Sequence, residues 1–200
     1  MLTKTSLHDY WNNRAAKQGR RTVGFKNRPL DIQNSRYNER IDFIFSRCAC
    51  PTSLPTVDFG CGVGHYAKMF EHYLGLDITA QLLTYAVASY PTKRFMLIDG
   101  IGMPPDIQYT PRLFFTATTL QHNPDDVVDD IIRSTVPYFG PGAIFSLYEN
   151  TRVKAPHVFG REGEQYVAML SEHYRLAKST ITTHSIHGEL HTHTLAEVAE

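Results

Sequence analysis

The sequence predicts an α/β fold: a doubly wound, Rossmann-like seven-stranded sheet, mostly parallel, with an antiparallel C-terminal hairpin and an N-terminal helical arm. Three observations predict it. From Thr56 onward, short apolar runs alternate with amphipathic stretches, as strand–helix–strand units require. Gly60, Gly62 and Gly64 fall directly after the first run, where a parallel strand would turn into its helix. The last two runs are polar and β-branched, which suits a closing hairpin. At 200 residues the chain fits one domain, read as a helical arm or lid over 1–50 and a body over 51–200.

Within the arm, helices are expected around His8–Gln18 and Asn34–Arg47. The second carries Tyr37, Ile41, Ile44 and Phe45 at helical spacing and should pack on the body. Thr56–Phe59 is the first strand. Gly64–Tyr73 is expected to be a helix with Tyr66, Ala67 and Phe70 on one face. Leu74–Asp77 is the second strand, and Thr79 is placed to cap a helix over Ala80–Ala88. Arg94–Asp99 and Leu113–Ala117 are the third and fourth strands. Asn123, Pro124, Asp125 and Asp126 open a helix reaching about Tyr138, with a cap, a proline at the first helical position and acids against the positive dipole end. Gly142–Tyr148 is the fifth strand and Gly160–Tyr174 a further helix. Leu176–Thr183 and Glu189–Val198 complete the sheet.

Hydrophobic residues are 42% and charged residues 20%, ordinary globular usage that excludes a disordered chain. No apolar run approaches the roughly 18 residues of a membrane span. The first residues lack the apolar stretch of a secretory signal. Three cysteines without a Cys-x-x-Cys pair argue against a disulfide framework and fit a reducing, cytoplasmic setting. The net charge of zero hides an asymmetry, because residues 1–50 carry ten Lys/Arg against four Asp/Glu. Arg14–Arg28 holds six basic residues and no acid. Such a segment either packs on the acidic body or attracts a phosphate-bearing partner.

Open α/β sheets bind ligands outside the carboxyl ends of their strands, so the residues just after each apolar run are the candidates for chemistry. Val57–Gly64 reads VDFGCGVG. Its glycines allow a tight turn and a close approach of backbone to a ligand. A dinucleotide fingerprint would need a glycine where His65 stands, and a phosphate loop would need Gly-Lys-Ser/Thr, which is missing. The acid before the first glycine disfavours a pyrophosphate.

On these residues the chain resembles the class I S-adenosylmethionine-dependent methyltransferases of the small-molecule type. The resemblance covers about Thr56–Tyr148. It implies that S-adenosylmethionine is the cofactor and S-adenosylhomocysteine the product. It places Asp58, Gly60, Cys61, Gly62 and Gly64 against the methionine part, with Asp58 positioning the ammonium group. It gives Asp77, with Ile78 beside it, the ribose hydroxyls, which suits a carboxylate because it accepts two hydrogen bonds from a diol. Asp99 matches the position that contacts the adenine amino group, with Gly100 and Ile101 against the ring. Thr116–His122 (TATTLQH) is similar to the segment after the fourth strand, with Thr116 on the cofactor side. Tyr10 and Trp11 resemble an aromatic pair that closes over the cofactor. The implied reaction is an in-line displacement, accelerated mainly by positioning and assisted by a base only where the acceptor carries a proton.

The implied acceptor is a small molecule with an oxygen or nitrogen nucleophile. The segment after the fourth strand lacks the Asn/Asp-Pro-Pro-Tyr/Phe and Pro-Cys signatures of the DNA-base enzymes. His122 is the expected base and Glu149 the expected acceptor-contacting carboxylate. Tyr148, Arg152, His157, Arg161 and Tyr166, at or after the fifth strand, are expected to line the acceptor pocket. Two other readings remain open: an RNA or nucleotide methyltransferase using the basic 14–28 segment, and a catalytically silent partner subunit. His184, His187, Glu189, His191 and His193 invite a metal reading, since in one uninterrupted strand His187, Glu189, His191 and His193 would share a face; a turn at Gly188 is the alternative and would break that geometry, and no metal is expected. Glu189 and His191 are instead expected to face the active-site mouth or solvent.

Overall fold

The computed structural model describes residues 4–19, 22, 30–98, 102–152, 154–155, 157–186 and 188–200. Its helices are α1 (Lys4–Gln18), α2 (Leu30–Ile41), α3 (Ala80–Ser89), α4 (Asp125–Thr135) and α5 (Gly163–Ser171). Its strands are β1 (Thr56–Phe59), β2 (Tyr73–Asp77), β3 (Arg94–Leu97), β4 (Leu113–Ala117), β5 (Ile144–Asn150), β6 (Lys154–Ala155), β7 (Val158–Phe159), β8 (Leu176–Ile186) and β9 (Glu189–Val198).

β1, β2 and β4 are short and apolar because helices or loops cover both of their faces. Seven strands form one sheet in the order β3-β2-β1-β4-β5-β9-β8. The pairs from β3 to β5 are parallel, whereas β9 runs antiparallel to both β5 and β8. Strand order reverses between β1 and β4, which opens a crevice at their carboxyl ends. The seven-stranded α/β fold expected from the sequence is the fold observed.

Alternation along β4 divides the core. Phe114 packs with Val57, Leu76, Phe145 and the α4 residues Val128, Ile131 and Ile132. Phe115 points the other way, to Phe43, Ile44, Tyr66, Phe70 and Tyr148. Burying each such side chain contributes about 2 kcal/mol. A slip of one residue in register would exchange the two faces, so the pairing Phe114↔Phe145 is strongly specified. α1 docks on the body through Ala15, which is buried with Val63 and Leu82.

Several elements differ from expectation. Gly64–Tyr73 is not an α-helix: the chain turns through 61–66, makes one 3-10 turn at Ala67–Met69, and turns extended at Phe70. Gly64 sits at φ +75°, and Tyr66 and Phe70 face Phe115 at 5.2 and 5.1 Å, so aromatic packing overrides the helical spacing. α2 continues as a π-helical turn over Asp42–Arg47. Thr79 occupies the cap position of α3 without a side-chain cap bond. Pro124, not Asn123, is the cap of α4, because the Asn123 amide donates to the Thr119 carbonyl at 2.9 Å. β5 and β8 run beyond their expected ends, α5 is shorter, and β6 and β7 form a small hairpin after β5. Among the described residues, no helix is long and apolar enough to cross a membrane.

Candidate active site

The loop after β1 is shaped by one close approach. Gly60 has φ +74°, and a Cβ there would lie 2.3 Å from Thr119 Cγ2, so only glycine lets this loop meet the segment after β4. Backbone N–H groups of Gly60 and Cys61 donate to the Leu76 carbonyl at 2.8 and 3.0 Å. Asp77 completes the tie. Its Oδ2 accepts the Gly62 N–H and its Oδ1 the Thr79 N–H, each at 2.8 Å. Burial raises the Asp77 carboxyl pKa, and these N–H bonds oppose the rise. Each carboxylate oxygen keeps a second acceptor position, so the group can still receive a diol.

Asp58 lies deeper and accepts the Tyr73 hydroxyl at 2.6 Å. Burial pushes its carboxyl up to about 7, against the pull of that bond. The Cys61 thiol is also buried, which raises its pKa and suits packing rather than nucleophilic attack. Ile78 is half-buried and packs on the core beneath. Asp99, Gly100 and Ile101 lie outside the described residues.

Glu149 organises the neighbouring edge. Its Oε1 accepts the Thr116 hydroxyl at 3.2 Å and the Thr119 and Leu120 N–H groups at 3.1 and 3.0 Å. Its Oε2 accepts the Gln121 N–H at 3.1 Å. The side chain is 0% exposed, and burial raises its pKa to about 7. This corrects the sequence expectation: Glu149 is aimed into the loop after β4, not outward toward an acceptor. It holds that loop directly after Thr118, a β-branched residue at φ +59°, a conformation that costs about 1–3 kcal/mol. Thr116 is equally buried and bonds Glu149, so it supports the site from below.

His122 ends this loop. Its Nδ1 lies 3.1 Å from the His157 carbonyl, which can only accept, so Nδ1 carries the proton and Nε2 the lone pair. Trp11 packs edge-on against His122 at 4.9 Å, and His157 stacks on it at 5.6 Å. Tyr10 covers His157 at 5.3 Å, while Arg14 donates to the Tyr10 hydroxyl at 3.1 Å. The arm and the segment after β5 thus meet over His122. Burial drives its pKa down to about 4, so the imidazole is neutral at pH 7.

No described protein family and no curated protein matches the sequence. Solved structures do match in shape. A magnesium protoporphyrin IX methyltransferase from Synechocystis PCC 6803, with bound SAM, is 17% identical with a TM-score of 0.68, covering 98% of this chain and 97% of that one. A phosphoethanolamine N-methyltransferase from Haemonchus contortus is 14% identical with a TM-score of 0.72, covering 98% of this chain and 50% of that one. The chain has the fold of the S-adenosylmethionine-dependent methyltransferases. The same fold also carries the [4+2]-cyclase SpnF, which is 12% identical with a TM-score of 0.65, covering 88% of this chain and 86% of that one.

Within this methyltransferase fold, the expected acceptor-lining residues scatter. Arg161 is a clamp: it bonds Asp125 Oδ1 at 2.8 and 2.6 Å, the Leu120 and Phe159 carbonyls at 3.2 Å and the Asn123 carbonyl at 2.7 Å. With 2% exposure it has no donor to spare for an acceptor, which corrects that expectation. Tyr166 is buried in the core beside α4, and the Arg152 side chain is 74% exposed, 4.0 Å from Glu162; neither lies with His122. His157 and Tyr148 do lie at the carboxyl edge of the sheet.

Residues that sequence reasoning did not single out lie beside Tyr148. α2 buries Arg36 and Arg40, and Tyr66 follows the glycine loop. The one available signal was the four-residue spacing of the two arginines, which puts them on one helical face. Among the described residues, the hairpin histidines do not gather as ligands for one ion, although His184 pairs opposite His191. His184 stacks on Phe43, His191 on Tyr148, and His193 bonds the Ser146 hydroxyl at 2.8 Å. Glu189 meets Arg36 at 3.6 Å, so both Glu189 and His191 turn toward the α2 side of the site. His187, Arg20, Arg21, Lys26 and Arg28 lie outside the described residues. Among the described residues, the side chains that come together as a metal site could are Asp129, Glu172 and His173, on α4 and beyond α5, away from the sheet's carboxyl edge.

Proposed function

We propose that this chain is an S-adenosylmethionine-dependent methyltransferase acting on an oxygen or nitrogen nucleophile of a small molecule. The observation that carries the reading is the glycine loop pinned to Asp77 at the switch point of the sheet. The backbone there is already held, and both carboxylate oxygens retain acceptor capacity, which fits a cofactor that presents a diol. The Gly60–Gly64 loop would hold the methionine part, Asp77 the ribose, and Asp99 with Gly100 and Ile101 the adenine. The cofactor would supply a methyl group activated on a sulfonium sulfur.

The chain's own residues would position and exclude water. Tyr10 and Trp11 cover the His122 side of the crevice, and Glu149 fixes the loop that carries His122. The His122 imidazole is neutral above about pH 4, with its Nε2 3.4 Å from the Gln121 side-chain amide nitrogen; it would take a proton from an acceptor once that contact opens and charge on the bound substrates raises its pKa. Glu149 and Arg161 act as positioning residues through that loop.

Titration calorimetry with S-adenosylhomocysteine tests the reading. One-to-one binding is expected, weakened about thirtyfold by Asp77→Ala, the loss of two charge-assisted hydrogen bonds partly replaced by water. A folded chain that binds none would point to a silent scaffold.

A further inference from the structure

Four separate segments converge on one buried cluster: α2, the turn after the glycine loop, the end of β5 and the start of β9. Arg40, from α2, is 8% exposed, and its guanidinium lies 5.8 Å from the Tyr37 ring and 5.9 Å from the Tyr148 ring. Tyr148 stacks on His191 at 5.0 Å with the rings 6° apart. Tyr66 is near enough that its phenol and the Arg40 guanidinium influence each other's ionisation. His65, beside Tyr66 in sequence, stacks on Tyr37 at 3.8 Å.

The cluster is buried but not satisfied. Tyr66, Tyr148 and His191 are 6%, 0% and 1% exposed. Among the described residues, Arg40 Nε and both phenolic oxygens nevertheless lack a hydrogen-bond partner, and His191 has only Glu189 Oε2 beside its Nε2, at 3.6 Å. Buried polar groups are almost always paired, and leaving one unpaired costs about 1–3 kcal/mol. A carboxylate stands at the edge of the cluster. Glu189 is shared between Arg36, at 3.6 Å, and Arg40, and it is the carboxylate that acts on Arg40 among the described residues. The unpaired groups can all donate: a guanidinium N–H and two hydroxyls, with the His191 imidazole beside them. A group with several anionic oxygens matches that set better than one water, which offers two acceptor positions.

We propose that Arg40, Tyr66, Tyr148 and His191 form an oxyanion-binding subsite that holds a carboxylate, phosphoryl or phosphonyl group of the methyl acceptor. Its assignment to the acceptor rests on the methyltransferase reading; the anion site itself does not. Its position agrees, since Tyr66 follows the cofactor loop and Tyr148 precedes Glu149, whose bonds fix the loop of His122. The sheet edge thus brings the two halves of the site together.

Inorganic phosphate and acetate are titrated separately into the full chain, with and without S-adenosylhomocysteine. At least one should bind one-to-one. Phosphate alone would assign a phosphoryl or phosphonyl group, and acetate alone a carboxylate. Arg40→Gln should weaken binding at least about tenfold, and Tyr66→Phe, which removes one oxygen and keeps the ring packing, about fivefold. Both should leave S-adenosylhomocysteine affinity within about twofold. Absence of binding by either anion to folded wild type at millimolar concentration overturns the proposal, as does wild-type affinity in the folded Tyr66→Phe chain. Loss of the S-adenosylhomocysteine heat with phosphate or acetate binding intact would sink the methyltransferase reading and leave the anion site standing.

Discussion

Two polar regions meet at the end of β5, one residue apart in sequence, and they differ in one respect. Glu149 gives both oxygens to four donors, the Thr116 hydroxyl in β4 and three N–H groups in the loop after it, while Tyr148 leaves its hydroxyl unpaired beside an equally unpaired Arg40 Nε among the described residues. Both side chains are 0% exposed, so burial does not distinguish them. Satisfaction does. A buried polar group with all its bonds made holds the fold in place. A group with none is a stored cost, which a ligand can relieve. Strand alternation sends these neighbours to opposite faces of the sheet, so one strand end serves both purposes.

The largest effect should come from breaking the satisfied side. Glu149→Ala would strand three backbone N–H groups and the Thr116 hydroxyl in a buried loop that already holds Thr118 at positive φ. A loss of about 4 kcal/mol is expected in urea unfolding. A loss under about 1 kcal/mol would mean that the loop does not depend on this carboxylate.

A smaller effect sharpens the comparison through pH. His193 bonds Ser146, and burial pushes its pKa down to about 4. The unfolded chain takes this proton near 6.5 and the folded chain near 4, so its contribution is complete above about 6.5 and lost as pH falls toward 4. The loss should be up to about 3 kcal/mol. Glu149 acts in the opposite sense: with its folded pKa raised to about 7, its contribution is present below about 4.5 and lost as pH rises through 7. Unfolding free energies between pH 4 and pH 7 for wild type and His193→Gln check the sign. The variant should lose less stability on acidification, and parallel curves would show that His193 does not titrate as its burial requires.

Much of the fold was legible in the sequence because its signals are local. Each central strand is a short apolar run, Gly60 follows the first run directly, and Asp77 ends the second. The failures arise where distant residues decide. Tyr66 and Phe70 have helical spacing, yet Phe115, from β4, holds them in a turn and an extended segment. Glu149 was recognisable as an acid at a strand end, but not its direction, which is set by N–H groups 28–30 residues earlier in the chain. Arg36 and Arg40 sit in a helix expected to pack on the body through Tyr37, Ile41, Ile44 and Phe45, and their charge gave no sign that they would be buried with those residues. Only Tyr66, Tyr148 and His191, brought by the sheet from three other places, make that helical face an interior one. The hairpin histidines lie on one face of the β8–β9 hairpin, with His184 opposite His191, but they form no common site because each is taken by a different partner: Phe43, Tyr148 and the Ser146 hydroxyl.

Hydrogen exchange of the full chain with and without saturating S-adenosylhomocysteine tests the division between a prebuilt loop and a ligand-completed site most directly. The account predicts slowed exchange on binding across Gly60–Gly64, and slow exchange at Thr119, Leu120 and Gln121 in both states, because Glu149 already holds those amides. Unchanged exchange across Gly60–Gly64, or a loop after β4 that becomes protected only with the ligand, would contradict it.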